Sequence, residues 1–180
     1  LLRRARENGY AVGYFEAWNL ESLLAVRDAA ERTRSPVIIG FNGKFLGNRA
    51  RRLREDVGVY ACLGRAIAER SPVPMSLILN EADDLALLLQ GLEAGFNVVM
   101  HEGCPLEQSL QINSTLTKAA HQRGAAVEAE LGELPTTEGH AGTVSGGAST
   151  DPGEAEMFVA RTGVDALAVS IGNVHVLEAR

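Results

Sequence analysis

Six places in the chain pair an apolar run with polar residues whose types allow chemistry. They are Glu16 and Asn19, Asn42 and Lys44, Asn80 and Glu81, His101 and Glu102, Glu128 and Glu130, and Asn173 and His175. Carboxylates and imidazoles ligate divalent metals and move protons. If the ends of the apolar runs converge, three carboxylates and a histidine from this set can hold a divalent ion. Glu128 and Glu130 give the sharpest local signal. They alternate with Val127, Ala129 and Leu131, and an i, i+2 pair shares one face of a strand. Two successive charges on a buried face are costly unless paired or metal-bound, which points to function for Glu130. Glu81 and Glu102, taken alone, read more readily as structural or solvent-facing residues than as functional ones. His175 follows an apolar run and the pair Gly172-Asn173, and reads as a ligand or as a loop residue. His121 and His140 read as solvent-facing, and Trp18 as a lid-side wall or as ordinary packing. Gly146-Gly147 lacks the strand–loop–helix setting of a phosphate loop.

Such residues need elements to hold them. Apolar runs predict strands over 10–15, 37–41, 75–79, 96–100, 125–131 and 166–171. Helical stretches alternate with them, over 1–8, 19–34, 49–70 with an interruption near Gly58, 83–94, 105–123 and 150–161. Asn19 and Thr150 read as helix caps, with Pro152 in the first turn of the last helix. Gly9, Gly95, Gly124 and Gly163 read as stops. Residues 134–150, rich in Gly, Thr and Ser, read as a long loop. Nearly continuous apolar strands mean burial on both faces, hence a parallel sheet. Repeated β/α units of this kind fit a doubly wound sheet or a (βα)8 barrel. A complete barrel takes about 250 residues, so a barrel reading leaves room here for about six of the eight β/α units, and the chain is expected to continue past Arg180. Active residues of a barrel gather at the C-terminal ends of its strands, where the six places above lie.

Composition sets the outer bounds. The 180 residues are 46% hydrophobic and 22% charged, enough for one domain spanning 1–180 with a real core. The net charge of −6 argues against nucleic-acid binding, and the basic run Arg49 to Arg54 reads as a solvated helix face. No run approaches the ~20 apolar residues of a membrane span. There is no secretory leader pattern, and two cysteines, Cys62 and Cys104, make no disulfide framework. A cytoplasmic protein is expected, without membrane or nucleic-acid partners.

Three segments carry a family resemblance. The opening NGYAVGYFEAWNLESLLAVRDAAERTRSPVII resembles the first strand and helix of the class II, metal-dependent fructose- and tagatose-bisphosphate aldolases, whose first strand reads A-V-x-A-F-N-x-x-N. The segment GAAVEAELGEL resembles their V-E-A-E-L-G motif, and TDPGEAEMFVARTGVDALAVSIGNVH resembles their T-D-P to I-G-T-x-H-G segment. The matches lie in order and cover nearly the whole chain. The resemblance implies a (βα)8 barrel, a sugar-phosphate substrate and retro-aldol cleavage yielding dihydroxyacetone phosphate. It also implies zinc or another divalent ion that polarises the substrate ketone, and a role in glycolytic carbohydrate metabolism. By position, His175 matches a zinc-binding histidine and Glu130 a motif glutamate that approaches the metal. Asn19 matches a retained asparagine on the substrate side.

The departures are as informative. Where the family writes H-L-D-H-G, this chain writes Ile78-Leu79-Asn80-Glu81-Ala82. Asn80 stands in the place of the acid/base aspartate, and an amide cannot shuttle protons. Glu81 stands in the place of a zinc histidine and can bind zinc or a harder metal. Glu16 replaces the first asparagine, Glu102 keeps a carboxylate after the fourth strand, and Val176 replaces the glycine after the histidine. The expected metal set is therefore Glu81, Glu102, Glu130 and His175, with Asn80 and Glu130 at the reacting end and Asn19 on the substrate. The alternative is a non-aldolase paralogue, a sugar-phosphate-binding or regulatory barrel that has lost the acid/base aspartate. An open barrel edge also leads us to expect a homo-oligomer.

Overall fold

The computed structural model describes residues 1–48, 50, 52, 55–132 and 149–172, together with the backbone of 136–137 and 144–145. The main elements in chain order are α1 (Leu2–Asn8), β1 (Gly13–Glu16), α2 (Leu20–Thr33), β2 (Val37–Asn42), α3 (Gly43–Gly47), α4 (Val57–Ala68), β3 (Met75–Ala82) and α5 (Leu85–Ala94). They continue with β4 (Val98–His101), α6 (Leu106–His121), β5 (Ala126–Leu131), a small hairpin β6 (Thr136–Thr137) and β7 (Val144–Ser145), α7 (Pro152–Thr162) and β8 (Ala166–Val169).

Strand order decides between the two architectures that the sequence leaves open. The main sheet runs β1-β2-β3-β4-β5-β8, every pair parallel and every neighbour consecutive along the main chain of β/α units. A doubly wound sheet reverses its strand order at a switch point; this one never does. The sheet curls as six units of a (βα)8 barrel, with helices on its outer side.

The alternating strand residues divide between two clusters. Leu77, Leu79, Ile39, Phe41, Val99, Val127 and Ala129 pack outward with Leu23, Leu88, Leu116 and Phe158 from the helices. Ile38, Ile78 and Met100 form a smaller cluster on the inner side, with Val12, Tyr14, Val98 and Ala168 packed against it. Helix ends follow the expected chemistry. Asn19 caps α2 in a reciprocal box with Ser22, and Gly9, Gly95 and Gly163 close α1, α5 and α7 in the left-handed conformation that glycine adopts without penalty.

Four expectations need correction. The helix predicted over 49–70 begins only at Val57, where the Asp56 side chain accepts from Gly58 N and Val59 N; Gly58 lies in its first turn and does not interrupt it. A short helix, α3, follows β2 where none was read, because Asn42 caps it through Phe45 N. Thr150 does not cap α7; Asp151 does, and Thr150 ties strands together instead. The loop over 134–150 contains the hairpin β6–β7. Among the described residues no helix is long and apolar enough to cross a membrane.

Candidate active site

The site lies on the inner side of the sheet at the C-terminal ends of the strands. β1 places Tyr14 and Glu16 at i, i+2 on that side. The Tyr14 hydroxyl donates to Glu16 Oε2 at 3.2 Å. At the end of β2, Asn42 Nδ2 donates to Glu16 Oε2 at 3.3 Å and to Glu81 Oε2 at 3.2 Å. The Asn42 oxygen accepts from Phe45 N at 3.1 Å, so the α3 cap fixes which way the amide points.

β3 supplies the least regular backbone. Leu79 pairs with Val99, but Ala82 pairs with His101, so β3 carries one residue more than β4 over this stretch. The extra residue is a bulge, which re-aims side chains. Glu81 sits in it with φ at 49°, a left-handed conformation that non-glycine residues adopt only at a cost. Asn80, paired with Asn42, is 6% exposed, while Ala82 turns back into the helix-side core. The α3 start packs directly on this bulge, since a Cβ at Gly43 would collide with Ala82. The sequence shows Asn80-Glu81 as an altered motif; the bulge that sends Glu81 toward Asn42 has no local sequence signature.

The β4 and β5 ends provide the rest. Glu102 follows β4 and is held by the Lys44 ammonium in an ion pair, and its backbone N–H donates to the Ala82 carbonyl at 2.9 Å. His101 is buried, with Nδ1 against the Glu102 carbonyl oxygen, which makes Nδ1 the donor. Glu130 on β5 lies over the loop after β4: a Cβ on Gly103 would come within 3.2 Å of Glu130 Oε2. Thr150 Oγ1 donates to the Leu131 carbonyl at 3.0 Å and accepts from Ser170 N at 2.9 Å, which fastens the end of β5 to the residue after β8.

The charges of these carboxylates act on one another. Burial, and then the charges of Glu81 and Glu130, push the Glu128 carboxyl above the usual carboxylate range. Burial and the charge and hydrogen bond of Glu16, with Glu81 and Glu128 behind them, push the Tyr14 phenol up so that it stays a donor. The hydrogen bond and charge of Glu102 raise the Lys44 ammonium against an opposing desolvation.

The structure therefore brings Glu16, Asn42, Glu81, Glu128 and Glu130 to one mouth. Glu102 stands beside it, occupied by Lys44. Asn19 uses its side-chain oxygen on Ser22 N at 2.9 Å as the α2 cap, and the residue is exposed. His175 and Asn173 lie outside the described residues. Among the described residues, no three His, Cys, Asp or Glu side chains form a ready metal-holding group. Tyr14 was missed by the sequence reading, although its i, i+2 spacing to Glu16 was available as a signal.

The model of the family described as fructose-bisphosphate aldolase class-II matches residues 1–179. The chain belongs to this family. It is 36% identical over 180 residues to a fructose-bisphosphate aldolase of Thermus caldophilus, covering 97% of this chain and 56% of that protein. It is 34% identical over 182 residues to the D-tagatose-1,6-bisphosphate aldolase subunit GatY of Klebsiella oxytoca, covering 99% of this chain and 62% of that protein. The crystal structure of the YdjI aldolase from Escherichia coli K12 superimposes with a TM-score of 0.79 at 31% identity, covering 96% of this chain and 61% of that one. The chain thus spans about three-fifths of the length of the relatives it matches. Membership, together with the superposition, gives the chain the fold of this family.

Proposed function

We propose that the protein cleaves a ketose phosphate or bisphosphate by metal-dependent retro-aldol chemistry, releasing dihydroxyacetone phosphate. The observation that carries the reading is the placement of Glu128 and Glu130 on the inner side of β5 within reach of Glu81: burial first, and then the charges of Glu81 and Glu130, raise the Glu128 carboxyl. Carboxylates held together in this way are what a bound cation relieves. The donor set is oxygen-rich, so it fits a hard divalent ion, manganese or magnesium, as well as zinc. Glu81 and Glu130 would hold the ion, with His175 as the nitrogen ligand and Glu102 recruited only on release from Lys44. Bound there, the ion would act as a Lewis acid on the substrate ketone.

The remaining work falls to the chain's own side chains. Cleavage needs a proton taken from the hydroxyl next to the breaking carbon–carbon bond and a proton returned to the ketone half. Asn80 can donate a hydrogen bond to that hydroxyl but cannot take its proton. Glu128, with raised proton affinity on the inner face, is the residue suited to hold and return one. Glu130, over Gly103, would act at the reacting end, and Asn19 would contact the substrate. The six β/α units act as one domain, in a cytoplasmic homo-oligomer.

Fructose- and tagatose-bisphosphate cleavage by the full-length protein with zinc, manganese or cobalt tests this. Turnover that disappears with chelator and with Glu81→Ala is expected. No turnover with any of the metals sinks the aldolase assignment. Tight sugar-phosphate binding without cleavage would instead support a binding or regulatory barrel, the reading that Asn80 in the acid/base position favours.

A further inference from the structure

We propose that Asn42 is a positioning residue for Glu81, clamping that carboxylate and its left-handed backbone toward the mouth through a Glu16–Asn42–Glu81 bridge. The inference rests on the metal reading above for its purpose, but its geometry stands alone. One amide nitrogen donates to Oε2 of both carboxylates, at 3.3 Å and 3.2 Å. The other end of the same amide is held by Phe45 N at 3.1 Å, so Asn42 cannot flip without breaking the α3 cap. Tyr14 holds the far carboxylate at 3.2 Å, and its buried phenol keeps its proton for that bond. Glu81 meanwhile occupies φ 49° in a bulge. A strained residue persists only where its surroundings over-determine it, and the bridge is a constraint acting on its side chain. Two like charges would otherwise swing apart; sharing one neutral donor holds both oxygens on the same side of the sheet. Outer partners that orient a ligand commonly change metal affinity by about 10–100-fold when removed.

The experiment compares the full-length wild type with Asn42→Ser. Serine keeps an oxygen able to accept from Phe45 N, so α3 keeps its cap, but it is too short to bridge two glutamates. Manganese alone is the probe, with affinity measured by titration calorimetry. The Glu81 Cα and Cβ chemical shifts are read separately on metal-free protein. The expected result is a fall in manganese affinity of about 10–100-fold, with the Glu81 shifts leaving left-handed values. Unchanged Glu81 shifts overturn the positioning role, whatever happens to affinity. Moved shifts with unchanged affinity overturn its link to metal binding. A wild type that binds no manganese or other divalent ion defeats the proposed metal chemistry instead, and the Glu81 shifts still decide whether the bridge positions that residue.

Discussion

The two faces of the curled sheet come from the same strands and are built on different principles. On the helix side, Leu79, Val99, Val127 and Ala129 are fully buried against Leu88, Leu116 and Phe158. On the inner side, Ile38, Ile78 and Met100 form a small apolar floor, and above it come Tyr14, Glu16, Asn42, Glu81, Glu128 and Glu130. Apolar burial is non-directional and grows with area, so the outer face can be continuous. The inner face carries charges whose burial is costly, and it is organised by directional hydrogen bonds. The difference teaches that the outer face carries most of the folding energy and that the inner face gives up stability to hold its carboxylates together.

The strongest way to break that comparison is to remove volume from each face in turn. Leu79 is fully buried, and its side chain fills the space left by Gly91. Leu79→Ala is expected to cost about 3–4 kcal/mol, the transfer term plus an unrelaxed cavity. Ile78 is 1% exposed but belongs to the smaller cluster, bordered by partly buried residues that can collapse into a void. Ile78→Ala is expected near the lower end of the same scale, about 2 kcal/mol. Urea unfolding of the metal-free protein measures both; an equal or larger loss at Ile78 would show that the inner face carries as much of the fold as the outer.

The next effect reverses sign. Glu128 is raised by burial and by the charges of Glu81 and Glu130, so its folded-state proton affinity exceeds that of the unfolded chain. An acid raised on folding lowers stability at pH values above its folded pKa. That penalty disappears as pH falls through the folded pKa toward the unfolded one. In the metal-free protein, acidification through this window is expected to raise stability relative to Glu128→Gln, which lacks the group. At neutral pH the substitution itself should stabilise the metal-free protein by a few degrees in Tm, on the order of 1 kcal/mol. Thermal melts in chelator at several pH values read this, and a Glu128→Gln protein less stable than wild type at neutral pH would contradict an uncompensated carboxylate on the inner face.

The legibility of the molecule follows the same division. The outer face was readable because apolar strands and periodic helices announce themselves locally: Val37–Asn42, Ala126–Leu131 and α2 fall within a residue or two of their predicted bounds. Parallel pairing followed from strands buried on both faces, while the choice of a barrel needed the strand order. At the mouth, the alternation of Glu128 and Glu130 and the motif position of Glu81 were visible in the chain. What was not visible depends on contacts between distant residues. The bulge at Glu81 is a mismatch of β3 against β4, and the Asn42 bridge joins residues 39 positions apart. Asn19 was legible as a cap from its neighbours. Thr150 was misread as one because its partners, the Leu131 carbonyl and Ser170 N, are remote in sequence.

The smallest expected effect sharpens the comparison at its rim. Lys44 and Glu102 form an ion pair whose side chains are 50% and 33% exposed. Exposed pairs contribute about 0–1 kcal/mol, because water already solvates both charges and two flexible side chains must be ordered. Lys44→Met is therefore expected to change stability by less than about 1 kcal/mol, and the change should shrink in high salt as screening shortens the reach of the charges. The Glu128→Gln effect should persist in the same salt, because buried charges are screened far less. The Lys44 ammonium is raised in the folded state by Glu102, so whatever stability the pair gives is present below the unfolded lysine pKa and is lost as pH rises through the folded value. Chemical denaturation at low and high salt, with both variants measured in parallel, separates the two kinds of charge. A Lys44→Met loss that is large and salt-independent would place this pair with the buried inner carboxylates, and would move Glu102 from the rim of the site into it.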